Sequence, residues 1–257
     1  MTKFTQEAMV AMLSDFKRFI PQLSINCVIF RFNGQELQVP IVQPIQDEIW
    51  VIPGGFVYQD EDIDDAAKRI LYEQTQIDLP ILGQFGTYGP ADRNFASELS
   101  AFKNSILPSD IIDWISQRFV TIGYYSILNR QPVDLKTGPL FKNGRWVNVK
   151  ETDTLALDHS LLVSEARKVL GSELLSKPLL LSFMPPTFTI PELQKLYEAI
   201  LDRPIDRGNF RQRILKSDIL TKVGVSKEKT KSRPPILYSL DEQRYLNSLT
   251  QNIKLGF

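Results

Sequence analysis

The sequence predicts an α/β domain over residues 1–175, followed by a smaller, basic and mostly helical domain over residues 178–257. Three observations carry this. The first half alternates strand-like β-branched runs with one glycine-initiated helical segment, the grammar of an α/β fold. Prolines at 178, 185 and 186 punctuate a short stretch between the halves and deny it three backbone N–H donors. The last third then changes both its periodicity, which becomes helical, and its charge.

Taken in order, residues 5–19 have helical spacing. SINCVIFRF, from Ser24 to Phe32, is β-branched and aromatic and runs into Asn33-Gly34, a two-residue hairpin signal, before the strand-like ELQVPIVQPI. A short strand, EIWVIP, ends at Gly54-Gly55, and from Asp62 to Gln76 the apolar positions Ile63, Ala66, Ala67, Ile70 and Leu71 return to helical spacing. Strands are expected at 81–87, 119–128 and 145–149, with a helical insertion around 97–117, and DTLALDHSLLVSEARKVLG reads as a long helix closed by Gly171. No regular element is expected in KPLLLSFMPPTF. Beyond it, ELQKLYEAIL places Leu193, Leu196, Tyr197 and Ile200 on one helix face, and DRGNFRQRIL does the same with Phe210, Ile214 and Leu215. Arg203-Pro204 separates them, Thr189 precedes Pro191 as a helix start, and Asp206 can cap the second helix. Two short helices joined by a tight turn form a helix-turn-helix, and the basic stretch before the strand-like ILYSL reads as a wing.

Composition narrows the function classes. At 43% hydrophobic and 23% charged, the chain has no apolar run near the roughly 20 residues a bilayer demands. No membrane partner is expected. The N-terminus lacks an apolar core with a small-residue cleavage site, so a cytoplasmic location is expected. One cysteine, Cys27, and one histidine, His159, leave only carboxylates to build a metal site. The net charge of zero hides a division: from Lys177 to Phe257 there are 14 Lys and Arg against 8 Asp and Glu. Such a basic excess raises the expectation of a polyanion such as double-stranded DNA, although on charge alone a solvated helix face is the favoured reading.

The segment GFVYQDEDIDDAAKRILYEQTQI resembles the Nudix box: Gly55, Glu61, Arg69, Leu71, Glu73 and Ile77 fall on its pattern, whereas Ile70, Gln74 and Gln76 do not. The resemblance implies a Nudix-like α/β/α sandwich. In that family three glutamates at i, i+3 and i+4 share one helix face and hold magnesium, which activates water against a diphosphate. Here that face is Ile70, Glu73 and Gln74. One carboxylate of three remains, and we expect neither a bound metal, nor a cofactor, nor efficient hydrolysis by that mechanism.

GTYGPADRN at 86–94, RFVTIGYYSIL at 118–128 and the Asp158-His159 helix extend the resemblance to the Nudix-related transcriptional regulators, in which a former hydrolase pocket senses a small effector and a winged helix-turn-helix follows. The family runs the first two segments together, whereas residues 95–117 separate them here. The effector-site candidates are Asp92, Arg93, Arg118, His159 and Glu73, since arginines suit phosphate or carboxylate and carboxylates suit sugar hydroxyls. His159 also reads as a structural hydrogen-bonding residue beside Asp158. The resemblance implies a sugar, sugar phosphate or ADP-ribose-like effector and control of carbohydrate or NAD metabolism, and the degraded box favours a sugar. On the second helix Arg207, Asn209, Arg211, Gln212, Arg213 and Lys216 are candidates for a major groove, and Lys227, Lys229, Lys231 and Arg233 for phosphates. Paired half-sites would call for a homodimer. The other readings are a Nudix hydrolase of ADP-ribose or a nucleoside-diphosphate sugar, and a binding protein without DNA affinity.

Overall fold

The computed structural model describes residues 15–45, 48–78, 83–93, 108–128, 133, 135–174, 179–226 and 234–250. Its strands are β1 (Phe19–Phe32), β2 (Leu37–Pro44), β3 (Gly54–Tyr58), β4 (Gly83–Tyr88), β5 (Val120–Ile127), β6 (Phe141–Asn148), β7 (Leu220–Val225) and β8 (Ile236–Leu240). Its helices are α1 (Ile63–Thr75), α2 (Ser109–Ile115), α3 (His159–Glu173), α4 (Leu179–Phe183), α5 (Ile190–Leu201), α6 (Arg207–Lys216) and α7 (Glu242–Thr250). Two compact units result. One holds Val39–Ser126 and Pro132–Ala166 with the chain up to Phe30, and the other holds Arg31–Gln38, Ile127–Gln131 and the chain from Arg167 onward.

A six-stranded sheet runs β4-β5-β1-β2-β6, with β3 antiparallel to β1. Because successive strand residues face opposite ways, β1 shows how the sheet is covered. Cys27 points to α1, its thiol 3.6 Å from the Ala67 carbonyl. Asn26 points to the other side, where its amide lies 3.2 Å from His159 Nε2 at the start of α3. With a helix on each face, the sandwich is α/β/α. An aromatic cluster of Phe19, Phe119 and Trp114 closes one end, with Ile111 and Ile115 of α2 buried in it. Trp114 meets Phe56 edge-on at 4.7 Å, so part of the inserted segment packs directly beside β3, the strand that opens the box.

Several local details differ from the sequence reading, each for a physical reason. The β1–β2 loop has four residues: Asn33 Oδ1 accepts from the N–H groups of Gln35 and Glu36, and Gly34 takes a positive φ of 95°. Phe16–Arg18 is a 3-10 turn and Phe19 already belongs to β1, while residues 5–14 lie outside the described residues. Gly54 begins a strand rather than ending one, and before it only Val51 makes a bridge, to Val42. α3 continues past Gly171 to Glu173. Leu179–Phe183 forms a short helix, because Leu179, Leu180 and Phe183 all have a core to enter. In the insertion, helix is present over Ser109–Ile115, and 94–107 lies outside the described residues.

The second unit contains the helix-turn-helix. Thr189 and Glu192 form a capping box on α5, with Pro191 in its first turn. The turn to α6 is braced from α5: Gln194 donates to the Ile205 carbonyl at 2.9 Å and Glu198 accepts from the Ile205 N–H at 2.9 Å. Phe210 enters the core against Tyr197, ring centroids 5.4 Å apart. The Arg167 guanidinium bonds the Ala199 carbonyl, one of the unpaired carbonyls at the end of α5, and pairs with the Asp202 carboxylate at 2.9 Å. β7 and β8 pair antiparallel as the wing.

Candidate functional site

On α1 the side chains at the box positions are bound into the fold. Arg69 holds Glu61 at 2.6 Å and Glu73 at 3.1 Å, donates to the Phe56 carbonyl at 2.9 Å, and lies over the Tyr58 ring. Glu61 also accepts from the Tyr58 N–H at 2.8 Å. Burial works against the Glu61 charge, but the bonds from Arg69 and Tyr58 outweigh it and hold the carboxyl below its usual range. Gln74 closes a two-point clamp on one residue, its oxygen accepting from the Gly54 N–H at 3.1 Å and its amide nitrogen donating to the Gly54 carbonyl at 2.5 Å. Ile70 is 2% exposed and lies against Gly55, where a Cβ would come within 3.2 Å of its side chain. Gln76 ends the helix at φ 55°, a left-handed conformation in which glycine is easiest.

This donor set does not fit the magnesium ion that the fold family implies. One ligand position is a buried hydrocarbon, another is an amide with both ends bonded to backbone, and the surviving Glu73 faces a guanidinium. Among the described residues no group of three or more His, Cys, Asp or Glu could hold a metal.

The effector-site candidates fall on both faces of the sheet. Arg93 is 7% exposed; its Nε and Nη2 bond Asp158 at 2.7 and 3.1 Å, and Nη1 donates to the Phe119 carbonyl at 2.9 Å. Arg118, next to Phe119, donates to the Gly89 carbonyl. His159 is buried, with Nδ1 accepting from the Ile52 N–H at 3.2 Å and Nε2 beside Asn26. Desolvation drives its pKa well below the ordinary 6.5; Asp158 opposes that shift and Arg93 adds to it. Asp92 lies exposed beside Arg93. These four therefore gather around the start of α3 and the start of β5. Glu73 lies apart from them, on α1 and the opposite face of the sheet.

Sequence reasoning missed Asn26 and Thr121, whose hydroxyl donates to Asn26 Oδ1 at 2.9 Å to complete the His159 cluster. The available signal was polarity: Ser24 and Asn26 share one face of β1 and interrupt the apolar run from Leu23 to Phe30. It also missed Tyr124, which takes Gln84 Nε2 at 2.7 Å and donates to Asp64. Burial first, and Asp64 second, push the Tyr124 phenol up to about 12.

The nucleic-acid candidates on α6 are all exposed. Asp206 caps the helix by accepting from the Asn209 N–H at 2.8 Å, and Asn209 Oδ1 accepts from Arg213 Nε at 2.9 Å. With Phe210 and Ile214 facing inward, a helical rotation of roughly 100° per residue puts Arg207 and Arg211 on one flank and Asn209, Arg213 and Lys216 on the other. Lys222 adds an exposed cation on β7. Lys227, Lys229, Lys231 and Arg233 lie outside the described residues.

Comparison with known proteins agrees with this architecture. Residues 20–165 match the NUDIX domain and residues 180–240 match the NrtR DNA-binding winged helix domain. An ADPR responsive transcriptional repressor, NtrR, from Acinetobacter baylyi is 30% identical over 232 residues, which is 88% of this chain and 84% of that protein. The crystal structure of Shewanella oneidensis NrtR complexed with a 27mer DNA superimposes with a TM-score of 0.58 at 25% identity, covering 87% of this chain and 95% of that one. A MutT/nudix family protein from Enterococcus faecalis shares the fold, with a TM-score of 0.58 at 19% identity over 93% of this chain and 99% of that one. With both domain types matched in order, and a relative aligned over most of its length, the chain belongs to the Nudix-related transcriptional regulators, in which a Nudix domain precedes an NrtR-type DNA-binding winged helix.

Proposed function

We propose that this chain is a DNA-binding transcriptional repressor whose Nudix domain, within residues 1–175, senses an effector of the ADP-ribose class, and whose residues 178–257 bind double-stranded DNA as part of a homodimer. The observation that carries this reading is the contrast between α1, whose box residues are bonded internally, and α6, which is exposed and basic. The A. baylyi relative is described as ADPR responsive, which favours a nucleotide sugar over a free sugar and favours NAD metabolism over carbohydrate use. Arg118, exposed near the start of β5, supplies positive charge for a diphosphate and Asp92 is available to ribose hydroxyls, while Arg93, already paired with Asp158, positions this corner of the site.

Fluorescence anisotropy with duplexes from the chain's own promoter regions, with and without ADP-ribose, tests this reading. Specific binding that weakens as ADP-ribose is added supports it, and ADP-ribose affinity must then change with DNA by the same factor. Two results overturn it: no duplex bound in either condition, or magnesium-dependent turnover of ADP-ribose that Glu73→Gln abolishes.

A further inference from the structure

Residues Gly208, Gln212 and Leu215 are spaced four and three apart on α6, so they form one ridge; the rotation that buries Phe210 and Ile214 puts Gln212 roughly opposite the core and turns Gly208 and Leu215 outward beside it, on the Arg211 side. None of the three is buried in the core. Leu215 is 40% exposed although the helix has a core to bury it in. A Cβ on Gly208 would meet only Asp206 Oδ1, at an ordinary 3.5 Å, so the fold has room for alanine, which favours a helix more than glycine does. Among the described residues Gln212 is held by no side-chain hydrogen bond. The arginines, by contrast, occupy the flanks, and Arg213 is tied to Asn209.

We propose, building on the DNA-binding reading above, that this ridge is the base-reading face of α6 and that it recognises an A·T step in the major groove. Gln212 presents one acceptor and one donor, the complement of adenine N6–H and N7. Leu215 offers an apolar surface to the C5-methyl of a neighbouring thymine. Gly208 removes the side chain that would hold the helix away from the base edges. The flanking Arg207, Arg211 and Lys216 hold phosphates on the two walls of the groove.

The probe is the duplex that the full-length protein itself selects from a random library. Replacing the critical adenine by 7-deaza-adenine, or the neighbouring thymine by uracil, removes one recognised group at a time. Each change weakens wild-type binding, roughly 5- to 150-fold for the bidentate adenine contact and less for the methyl. Gln212→Ala becomes indifferent to the deaza substitution and Leu215→Ala to the uracil substitution, while both bind scrambled duplex like wild type. Gly208→Ala keeps or raises the thermal midpoint and still loses affinity for the selected duplex. If wild type selects a sequence but Gln212→Ala and Leu215→Ala retain full sensitivity to the modified bases, the ridge assignment fails while DNA binding stands. If wild type selects no sequence at all, both fail.

Discussion

Helices α1 and α6 both display polar residues at motif positions, and they use them in opposite ways. On α1, Arg69 joins two carboxylates, a backbone carbonyl and an aromatic ring, and Gln74 grips both polar atoms of Gly54. On α6, Arg207, Arg211 and Gln212 are exposed, and its buried side chains are Phe210 and Ile214. A residue type at a motif position therefore indicates capacity for chemistry, whereas the partners it already holds determine whether that capacity is available. Substitutions on α1 should act mainly on folding and those on α6 mainly on binding, which four measurements can break or sharpen.

The largest effect is expected from restoring the family glutamate at position 70. Ile70 is 2% exposed against Gly55, so Ile70→Glu places a carboxylate where no cation awaits it and should cost about 3–5 kcal/mol. Urea unfolding with and without magnesium chloride measures it. Rescue of the variant by magnesium would show that the metal site can be rebuilt by one residue, and the contrast between the helices would collapse.

Next comes pH. His159 is the chain's only histidine, and desolvation lowers its native pKa from 6.5 to about 4. Above pH 6.5 the ring is neutral in both states and its burial carries no protonation cost. Below that value the unfolded chain gains a proton that the native ring refuses, so stability falls as pH drops towards the native pKa. Linkage gives a loss of about 2 kcal/mol between pH 7.5 and 5. His159→Gln removes that portion, and the difference between the two proteins isolates it from carboxylate titration. Parallel pH profiles for the two would place His159 in a solvated setting instead.

What could be read from the sequence followed from how local the responsible interaction is. The capping residues Thr189 and Asp206 act within three residues of themselves, so the helix-turn-helix was visible in order, although Leu215, read as part of the apolar face, is 40% exposed because Phe210 and Ile214 alone fill the core side of α6. Asp62 opens α1 and the 3.6-residue period of Ala66, Ala67, Ile70 and Leu71 matches its buried face for the same reason. The site was less legible because its bonds span long separations. Asn26 and His159 are 133 residues apart and Arg93 and Asp158 are 65 apart, and no spacing rule links such pairs. The loss of magnesium ligands was visible as letters, but the clamp of Gln74 on Gly54 was not.

Gln74→Glu is expected to have an intermediate effect. A carboxylate can still accept from the Gly54 N–H, but its second oxygen meets the Gly54 carbonyl without a proton between them. One lost bond and a repulsive contact at a part-buried site should cost about 1–3 kcal/mol. Thermal or urea unfolding reads it directly. A neutral or stabilising result would mean that the clamp opens readily and that α1 keeps more freedom than its bonds imply.

The smallest folding effect, and the most diagnostic, should come from Arg211→Ala. Arg211 is exposed on the flank of α6 and no core residue depends on it, so unfolding should shift by no more than about 0.5 kcal/mol. If it neutralises a phosphate rather than reading a base, affinity should fall for selected and scrambled duplexes alike, and the slope of log K against log salt should decrease by about one unit. Anisotropy titrations across salt concentrations separate the two roles. A loss confined to the selected duplex with an unchanged slope would make Arg211 a base reader and move the recognition ridge from Gln212 towards the Arg207 flank. A loss of stability comparable to that of Gln74→Glu would mean that α6, like α1, is built for the fold first.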